Sequence, residues 1–174
     1  MNDVLLREMT EADLDFVLAA ENDPAHAPFV GRWEREQHLT AMTSEEFDSF
    51  IVTDPEGLPV GHVILADCTG DSHNLMLKRL IITQKGCGYG WAAVKEVQRI
   101  AFTEHKARRL WLDVIETNTR ARSLYRTMGF QEEGTLREAL LHDGEHVSLV
   151  IMSMLAREYQ KIEHQAQEAQ EKHG

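Results

Sequence analysis

The segment 85–91 constrains the fold of this chain most, because it places three glycines between two different periodic patterns. Before it, Asn74–Ile82 is apolar enough for a buried strand, and after it apolar residues recur at helical intervals from Val94 to about Lys106. Glycines let a backbone approach a ligand closely, and a helix start offers unpaired N–H groups to an anion. The pattern predicts a phosphate site, although glycine spacing alone equally allows a tight turn without a ligand.

Strands and helices are also predicted on both sides of this unit. Strands are predicted at 4–6, 49–52, 59–65, 110–114, 136–141 and 147–154, and helices after Thr10, at 33–42 and at 119–128. Thr10 and Asp13 have the spacing of a capping box, and Gly129 stands where a helix ends in a left-handed residue. Asp143-Gly144 predicts a hairpin turn. This order of elements predicts an α/β (α+β) protein with a mixed sheet.

Composition sets the broad class of the protein. A chain of 174 residues that is 43% hydrophobic fits one domain. We assign it to residues 1–155, followed by a polar tail at 156–174 that is helical or frayed. The net charge of −11 disfavours nucleic acid as a partner and favours a substrate that carries a protonated amine.

The expected location is the cytoplasm. The two cysteines, Cys68 and Cys87, fit a reducing compartment. The N-terminal residues do not form a signal peptide, and the sequence contains no apolar run long enough to span a membrane.

Other phosphate-binding motifs fit the glycine segment less well. A nucleotide-hydrolase loop requires Gly-Lys followed by Ser or Thr, which the segment lacks. A dinucleotide fingerprint requires glycine at Trp91, although Asp113 lies near the spacing of its ribose-binding acid. A dinucleotide oxidoreductase therefore stays as an alternative.

No metal-binding pattern is visible in the sequence, so no metal site is predicted. HExxH and paired CxxC motifs are absent, and Asp67, Asp71 and His73 read as a solvated polar loop. His62 and His73 are expected to be partly solvated structural residues.

Two motifs resemble the GNAT superfamily of N-acetyltransferases. The first is Lys85-Gly86-Cys87-Gly88-Tyr89-Gly90, similar to the Gln/Arg-x-x-Gly-x-Gly/Ala pyrophosphate loop, with Lys in the first position. The second spans 116–130, where Asn118 begins a helix and Leu124-Tyr125-x-x-x-Gly129-Phe130 ends it. The resemblance extends over 6–154 and is greatest to the branch of ribosomal-protein, polyamine and antibiotic N-acetyltransferases.

The resemblance implies a mixed, mostly antiparallel sheet whose central strands splay apart, flanked by helices, with acetyl-CoA entering the opening. It implies that Asn118 contacts the cofactor arm or substrate and that Tyr125 protonates the departing thiolate. The cofactor-binding residues that it implies are Leu80, Ile81, Ile82, Lys85, Gly86, Cys87, Gly88, Tyr89, Gly90, Trp91, Asn118 and Tyr125. A homodimer is common in this family.

The expected activity is transfer of acetyl from acetyl-CoA to a primary amine of a small molecule or peptide, by direct attack in a ternary complex. Such a reaction requires deprotonation of the amine, stabilisation of the oxyanion and protonation of the leaving sulfur. Met76 stands where many relatives carry a glutamate base, so a water chain, a backbone carbonyl, Glu34 or Glu36 remain candidates for the base. Met76 also motivates the alternative of a catalytically silent acyl-CoA-binding or regulatory domain.

Overall fold

The computed structural model describes residues 3–172, which form one seven-stranded sheet of order β1-β2-β3-β4-β5-β7-β6. The strands are β1 (Leu5–Glu8), β2 (Phe47–Thr53), β3 (Pro59–Ala66), β4 (Asn74–Ile82), β5 (Arg109–Ile115), β6 (Gln131–His142) and β7 (Glu145–Leu155). The helices are α1 (Leu14–Asn22), α2 (Arg35–Met42), α3 (Tyr89–Arg99), α4 (Thr119–Thr127) and α5 (Ala156–Glu171). The mixed, mostly antiparallel sheet predicted from the sequence is confirmed.

Strands β4 and β5 are parallel and pair only over a short stretch. The register joins Asn74 to Arg109, Leu75 to Leu110 and Met76 to Trp111, and the pairing of these strands ends there. On its other edge β4 follows β3 antiparallel up to Ile82. The centre of the sheet is therefore open on one side of β4.

A β-bulge marks the point where β4 leaves β5. Leu65 of β3 pairs with Leu77 and Ile64 pairs with Arg79, so Lys78 is the extra residue. A bulge bends its strand and re-aims the neighbouring side chains. The positive pair Lys78-Arg79, which interrupts an apolar run in the sequence, thus coincides with the start of the opening.

The sheet has an apolar layer on each face. Ile51 and Val52 are successive residues of β2 and belong to different buried clusters, as expected for a strand that alternates its side chains. The larger cluster joins β3, β5 and β7 to α3 and α4, and the smaller one contains Leu14 and Val17 of α1. Helices therefore cover both faces. The first turns of α3 and α4 lie at the central opening.

Local signals in the sequence are reproduced closely. The Thr10–Asp13 capping box is present, Gly129 has φ of 94°, and Asp143 and Gly144 have φ of 48° and 83°. The helix after the glycine loop differs in part, because α3 ends at Arg99 and the chain continues as a π-helical segment, Ile100–Glu104.

The tail forms α5 over Ala156–Glu171, and this helix packs against the domain. Tyr159 is 9% exposed, and its ring stacks on Phe102 with ring centroids 4.9 Å apart. Across residues 3–172, none of the helices has the length and apolar character that crossing a membrane requires.

Candidate active site

A cleft of about 480 Å³ lies where β4 and β5 diverge. It runs from the end of β4 along the glycine loop to the first turns of α3 and α4, and the chain between α1 and α2 covers one side. The cleft residues predicted from the sequence are Leu80, Ile81, Ile82, Lys85, Gly86, Gly88, Tyr89, Gly90, Trp91, Asn118 and Tyr125. The structure therefore brings almost the whole predicted set together.

The glycine loop is shaped by left-handed residues. Gly86 has φ of 82° and Gly88 has φ of 79°, and Gly88 is the N-cap residue of α3. A residue with a Cβ adopts such angles only at a cost, and the helix that follows directs its first N–H groups into the cleft end. Cys87 is exposed in this loop but does not line the cleft, unlike its neighbours.

Tyr125 lies beneath the cleft, on α4. Its side chain is 8% exposed, and its ring meets that of Phe130 edge to face at 5.6 Å between centroids. Burial raises the pKa of the phenol, and the charge of Asp113 raises it further. The phenol is therefore neutral at physiological pH, which is the form that can donate a proton.

Asn118 begins α4 at the edge of the same cleft. Its side-chain oxygen accepts a hydrogen bond from the backbone N–H of Ala121 at 3.2 Å. This is an N-cap contact, and it holds the start of α4 against the opening.

Asp113 is a carboxylate that the sequence did not identify as a site residue for acetyl transfer. It lies on β5 two residues beyond Trp111, the last residue paired with β4; its side chain is exposed and is not among those that line the cleft. The surrounding protein raises the pKa of this carboxyl, while the ammonium group of Lys78 opposes the shift. The β4 residue at the last paired position, opposite Trp111, is Met76.

The other carboxylates considered as bases lie elsewhere. Glu34 is the N-cap residue of α2 and forms a capping box with Gln37. Glu36 lines a separate shallow hollow beside Trp33. Neither residue lines the main cleft.

A buried polar network supports the wall of the cleft. Glu21, at the end of α1, is completely buried and accepts a hydrogen bond from Arg79 Nη1 at 2.7 Å. The Nε2 atoms of His38 and His62 lie 3.2 and 3.3 Å from the same carboxylate, and the backbone N–H of Trp33 donates to it at 3.1 Å.

His62 is fully buried, so the expectation of a partly solvated histidine was wrong. Burial lowers its pKa against the opposing effect of Glu21. The pKa of Glu21 is lowered strongly, because hydrogen bonds and the charge of Arg79 outweigh its burial.

The network fixes the chain between α1 and α2. Trp33 packs under Arg79 and Lys78, with 4.9 Å and 5.6 Å from each cationic group to the ring centroid. The preceding residues Ala25, His26, Phe29 and Val30 line the cleft. The sequence placed the acceptor pocket in the irregular stretch between about Asn22 and Met42 without naming these residues. Further lining residues that were not named as site residues are Gln84, next to the first motif, and Thr117, Thr119, Arg120, Ala121 and Leu124, within the second.

The comparison with known families decides what this cleft belongs to. A family model described as the acetyltransferase (GNAT) domain matches residues 3–131. The chain belongs to the GNAT acetyltransferase family. It is an acetyl-CoA-dependent N-acetyltransferase, as the motif resemblance predicted.

Solved structures share the fold of this GNAT acetyltransferase. A spermidine N-acetyltransferase from Vibrio cholerae in complex with CoA and spermine is 22% identical, with a TM-score of 0.82 over 90% of this chain and 98% of that chain. A chimera of the spermidine N-acetyltransferase SpeG from Vibrio cholerae and hSSAT is also 22% identical, with a TM-score of 0.80 over 91% and 99% of the two chains.

Proposed function

We propose that this GNAT acetyltransferase acetylates a small polycationic amine of the polyamine class, with Asp113 as the base and Tyr125 as the acid. The observation that carries the proposal is the divergence of β4 and β5: Asp113 lies on β5 just beyond its last pair with β4, and Tyr125, on the helix that follows β5, lines the cleft and is close enough to Asp113 to feel its charge.

The glycine loop and the free edge of β4 suit acetyl-CoA. The pyrophosphate accepts hydrogen bonds from the first N–H groups of α3, and the amides of the pantetheine arm pair with the backbone of Leu80, Ile81 and Ile82. Lys85 and Arg120 line the cleft and add positive charge for the phosphates. Asn118 keeps the start of α4 in contact with the cofactor arm.

The chemistry requires one proton acceptor and one proton donor. Acetyl-CoA supplies an acetyl group activated as a thioester. Asp113 takes a proton from the acceptor ammonium, and the neutral nitrogen forms a bond to the carbonyl carbon as the carbon–sulfur bond breaks. Tyr125 donates its proton to the leaving sulfur, and a raised pKa keeps that proton available at neutral pH. The second proton, which the nitrogen loses as the amide forms, restores the phenol, and Asp113 releases the first proton to solvent.

The acceptor side of the cleft favours a small molecule over a protein surface. The tip of the β6–β7 hairpin closes on the chain between α1 and α2, where His142 Nε2 lies 2.8 Å from the carbonyl oxygen of Ala27. Arg32 and Asp143 form an ion pair across the same junction. A slender acceptor passes beside this junction more easily than a folded substrate.

The charge of the protein favours a cationic acceptor. The net charge of −11 attracts polyamines from solution, and Asp113 presents a carboxylate to the ammonium group in the opening. The structural neighbour with bound spermine supports the same substrate class.

The direct test compares acceptors under identical conditions. Acetyl-CoA is incubated with spermidine, spermine, amino acids, peptides, aminoglycosides or amino sugars, and release of the CoA thiol is followed. We expect the highest kcat/KM for a polyamine. A higher value for another amine class contradicts the proposed acceptor, and the absence of turnover with every amine contradicts the proposed catalytic roles.

Asp113→Asn tests the base. We expect kcat/KM to fall about 10²-fold near neutral pH and to recover as the pH rises, since the acceptor amine then deprotonates in solution. Glu116→Gln, at an exposed carboxylate just after β5, is the matched control and retains activity. A normal pH profile for Asp113→Asn rules out this role.

Three coarser features complete the proposal. Residues 1–155 form the catalytic domain and α5 is a packed extension without a catalytic role. A homodimer fits the exposed edge strand β6, where Leu136 and Leu141 are 49% and 64% exposed. A cytoplasmic location follows from the composition. Sedimentation tests the homodimer, and cell fractionation tests the location.

A further inference from the structure

Three different metal-ligand side chains converge at the end of the molecule that is remote from the glycine loop. Asp48 is the second residue of β2, Cys68 follows β3, and His105 follows the π-helical segment. One ligand atom from each side chain lies within 4.8 Å of the other two. None of these residues lines the catalytic cleft.

The backbone holds each of the three residues in place. Asp48 is paired with Leu65 in the sheet, the N–H of Cys68 donates to the carbonyl oxygen of Glu46 at 3.2 Å, and the N–H of His105 donates to that of Ile100 at 3.0 Å. His105 Nε2 also lies 2.6 Å from Asp48 Oδ2. Two of the three ligand groups are therefore already in contact.

The local electrostatics favour a cation. The carboxylates of Asp48, Asp67 and Glu46 are close enough to the Cys68 sulfur to act on it by charge, so this end of the molecule has a negative potential. A metal ion that binds there displaces the thiol proton and offsets the charge of the carboxylates.

We propose that Asp48, Cys68 and His105 form a zinc-binding site. Thiolate sulfur, imidazole nitrogen and carboxylate oxygen are the three ligand types that Zn²⁺ uses in proteins, whereas Mg²⁺ and Ca²⁺ require oxygen ligands. All three residues are only partly buried, so solvent supplies the fourth ligand.

The geometry requires a small adjustment. Ligand bonds of about 2.0–2.3 Å in a tetrahedron separate neighbouring ligand atoms by about 3.3–3.6 Å. The distance of 2.6 Å between His105 Nε2 and Asp48 Oδ2 must therefore increase by about 0.7 Å. The Cys68 sulfur, which lies within 4.8 Å of both atoms, must come to about 3.6 Å from them. Both changes lie within the reach of side-chain torsions.

A bound ion would link three segments that are distant in the sequence. It joins the start of β2, the β3–β4 connection and the α3–β5 connection. An ion that binds only the folded chain stabilises it by mass action, so the expected role is stability and not acetyl transfer. This inference does not depend on the proposed acceptor or on the catalytic roles.

Cobalt substitution tests the site with a direct optical readout. The full-length protein is treated with chelator, freed of it and titrated with Co²⁺ under reducing conditions, and then with Zn²⁺. We expect one Co²⁺ per chain with a thiolate-to-cobalt charge-transfer band, displacement of that band by Zn²⁺ but not by excess Mg²⁺, and a higher Tm with Zn²⁺.

The two cysteines provide matched variants. Cys68→Ala should lose the charge-transfer band, whereas Cys87→Ala, at an exposed cysteine in the glycine loop, should keep it. His105→Gln should weaken Co²⁺ binding at least tenfold, about 1.4 kcal/mol, and this variant decides the matter where Cys68→Ala does not fold. A wild-type protein without the band, a band that follows Cys87, or unchanged affinity in His105→Gln overturns the proposal.

Discussion

The glycine loop lines the cleft, whereas the buried network around Glu21 holds the α1–α2 connection that lines it, and the two regions are encoded in different ways. The loop is contiguous, and its conformation follows from glycines at positive φ directly before a helix. The network joins residues up to 58 positions apart, on α1, α2, β3 and β4. Neighbouring residues determine the backbone geometry of the loop, whereas the network depends on the completed fold.

The comparison predicts that the network contributes mainly to stability. Glu21→Gln leaves the Arg79 guanidinium buried without its countercharge, and we expect a loss of about 3–5 kcal/mol in the free energy of unfolding. Denaturant unfolding measures it. Asp15→Asn on the same helix is the control, because Asp15 is 91% exposed in its ion pair with Arg35 and such pairs contribute about 0–1 kcal/mol. Equal effects of the two substitutions would contradict the distinction between the regions.

The contiguous motifs should instead affect turnover and cofactor binding. Tyr125→Phe removes the proton donor and retains the ring that packs against Phe130. We expect kcat to fall about 10²-fold or more with little change in acetyl-CoA affinity. Single-turnover kinetics and calorimetry separate the two quantities, and wild-type chemistry in this variant would remove Tyr125 from the mechanism.

Gly88→Val examines the loop itself. Valine at φ of 79° is strained, and its β-branched side chain obstructs the approach of the pyrophosphate. We expect acetyl-CoA affinity to fall at least tenfold, about 1.4 kcal/mol. Calorimetry gives the Kd, and Gly144→Val in the hairpin turn, at φ of 83°, controls for strain that is remote from the loop. Unchanged affinity at Gly88 would refute the assigned phosphate site.

Acidification should lower the free energy of unfolding through the buried network, by less than Glu21→Gln does. The folded state lowers the pKa of His62 and of Glu21, so it binds fewer protons than the unfolded chain. The resulting stability is present above the ordinary histidine pKa of about 6.5 and is lost as the pH falls, first through His62 and below about 4.5 also through Glu21.

The slope should stay at or below about 1.4 kcal/mol per pH unit for each group. Unfolding midpoints between pH 8 and 5 measure the first part of this change. His164→Gln, at a histidine that is 73% exposed, is expected to leave the profile unchanged. Stability that increases on acidification would contradict the assigned protonation of His62.

The same contrast explains how much the sequence predicted. Gly88 and Tyr125 were found because each lies in a short motif whose spacing determines its place on a helix. His62 was assigned to a partly solvated site, because a single histidine in a strand carries no information about the α1 carboxylate that covers it. Asp113 was considered only as a ribose-binding acid, since the resemblance implied splayed central strands but not the residue at which β4 leaves β5. The α1–α2 residues of the cleft have no local pattern.

Because β4 and β5 pair over only three residues, we expect the concentration of cofactor to affect the resistance of the enzyme to local unfolding and proteolysis. This short pairing, referred to below as the seam, joins two half-sheets, β1–β4 and β5–β7–β6. A molecule bound along β4 would add contacts between the two half-sheets. At a cofactor concentration of about 100 times Kd, such a ligand stabilises the folded chain by about 2.7 kcal/mol. Depletion of acetyl-CoA and CoA would thus deprive the enzyme of its co-substrate and expose the seam to local opening and proteolysis.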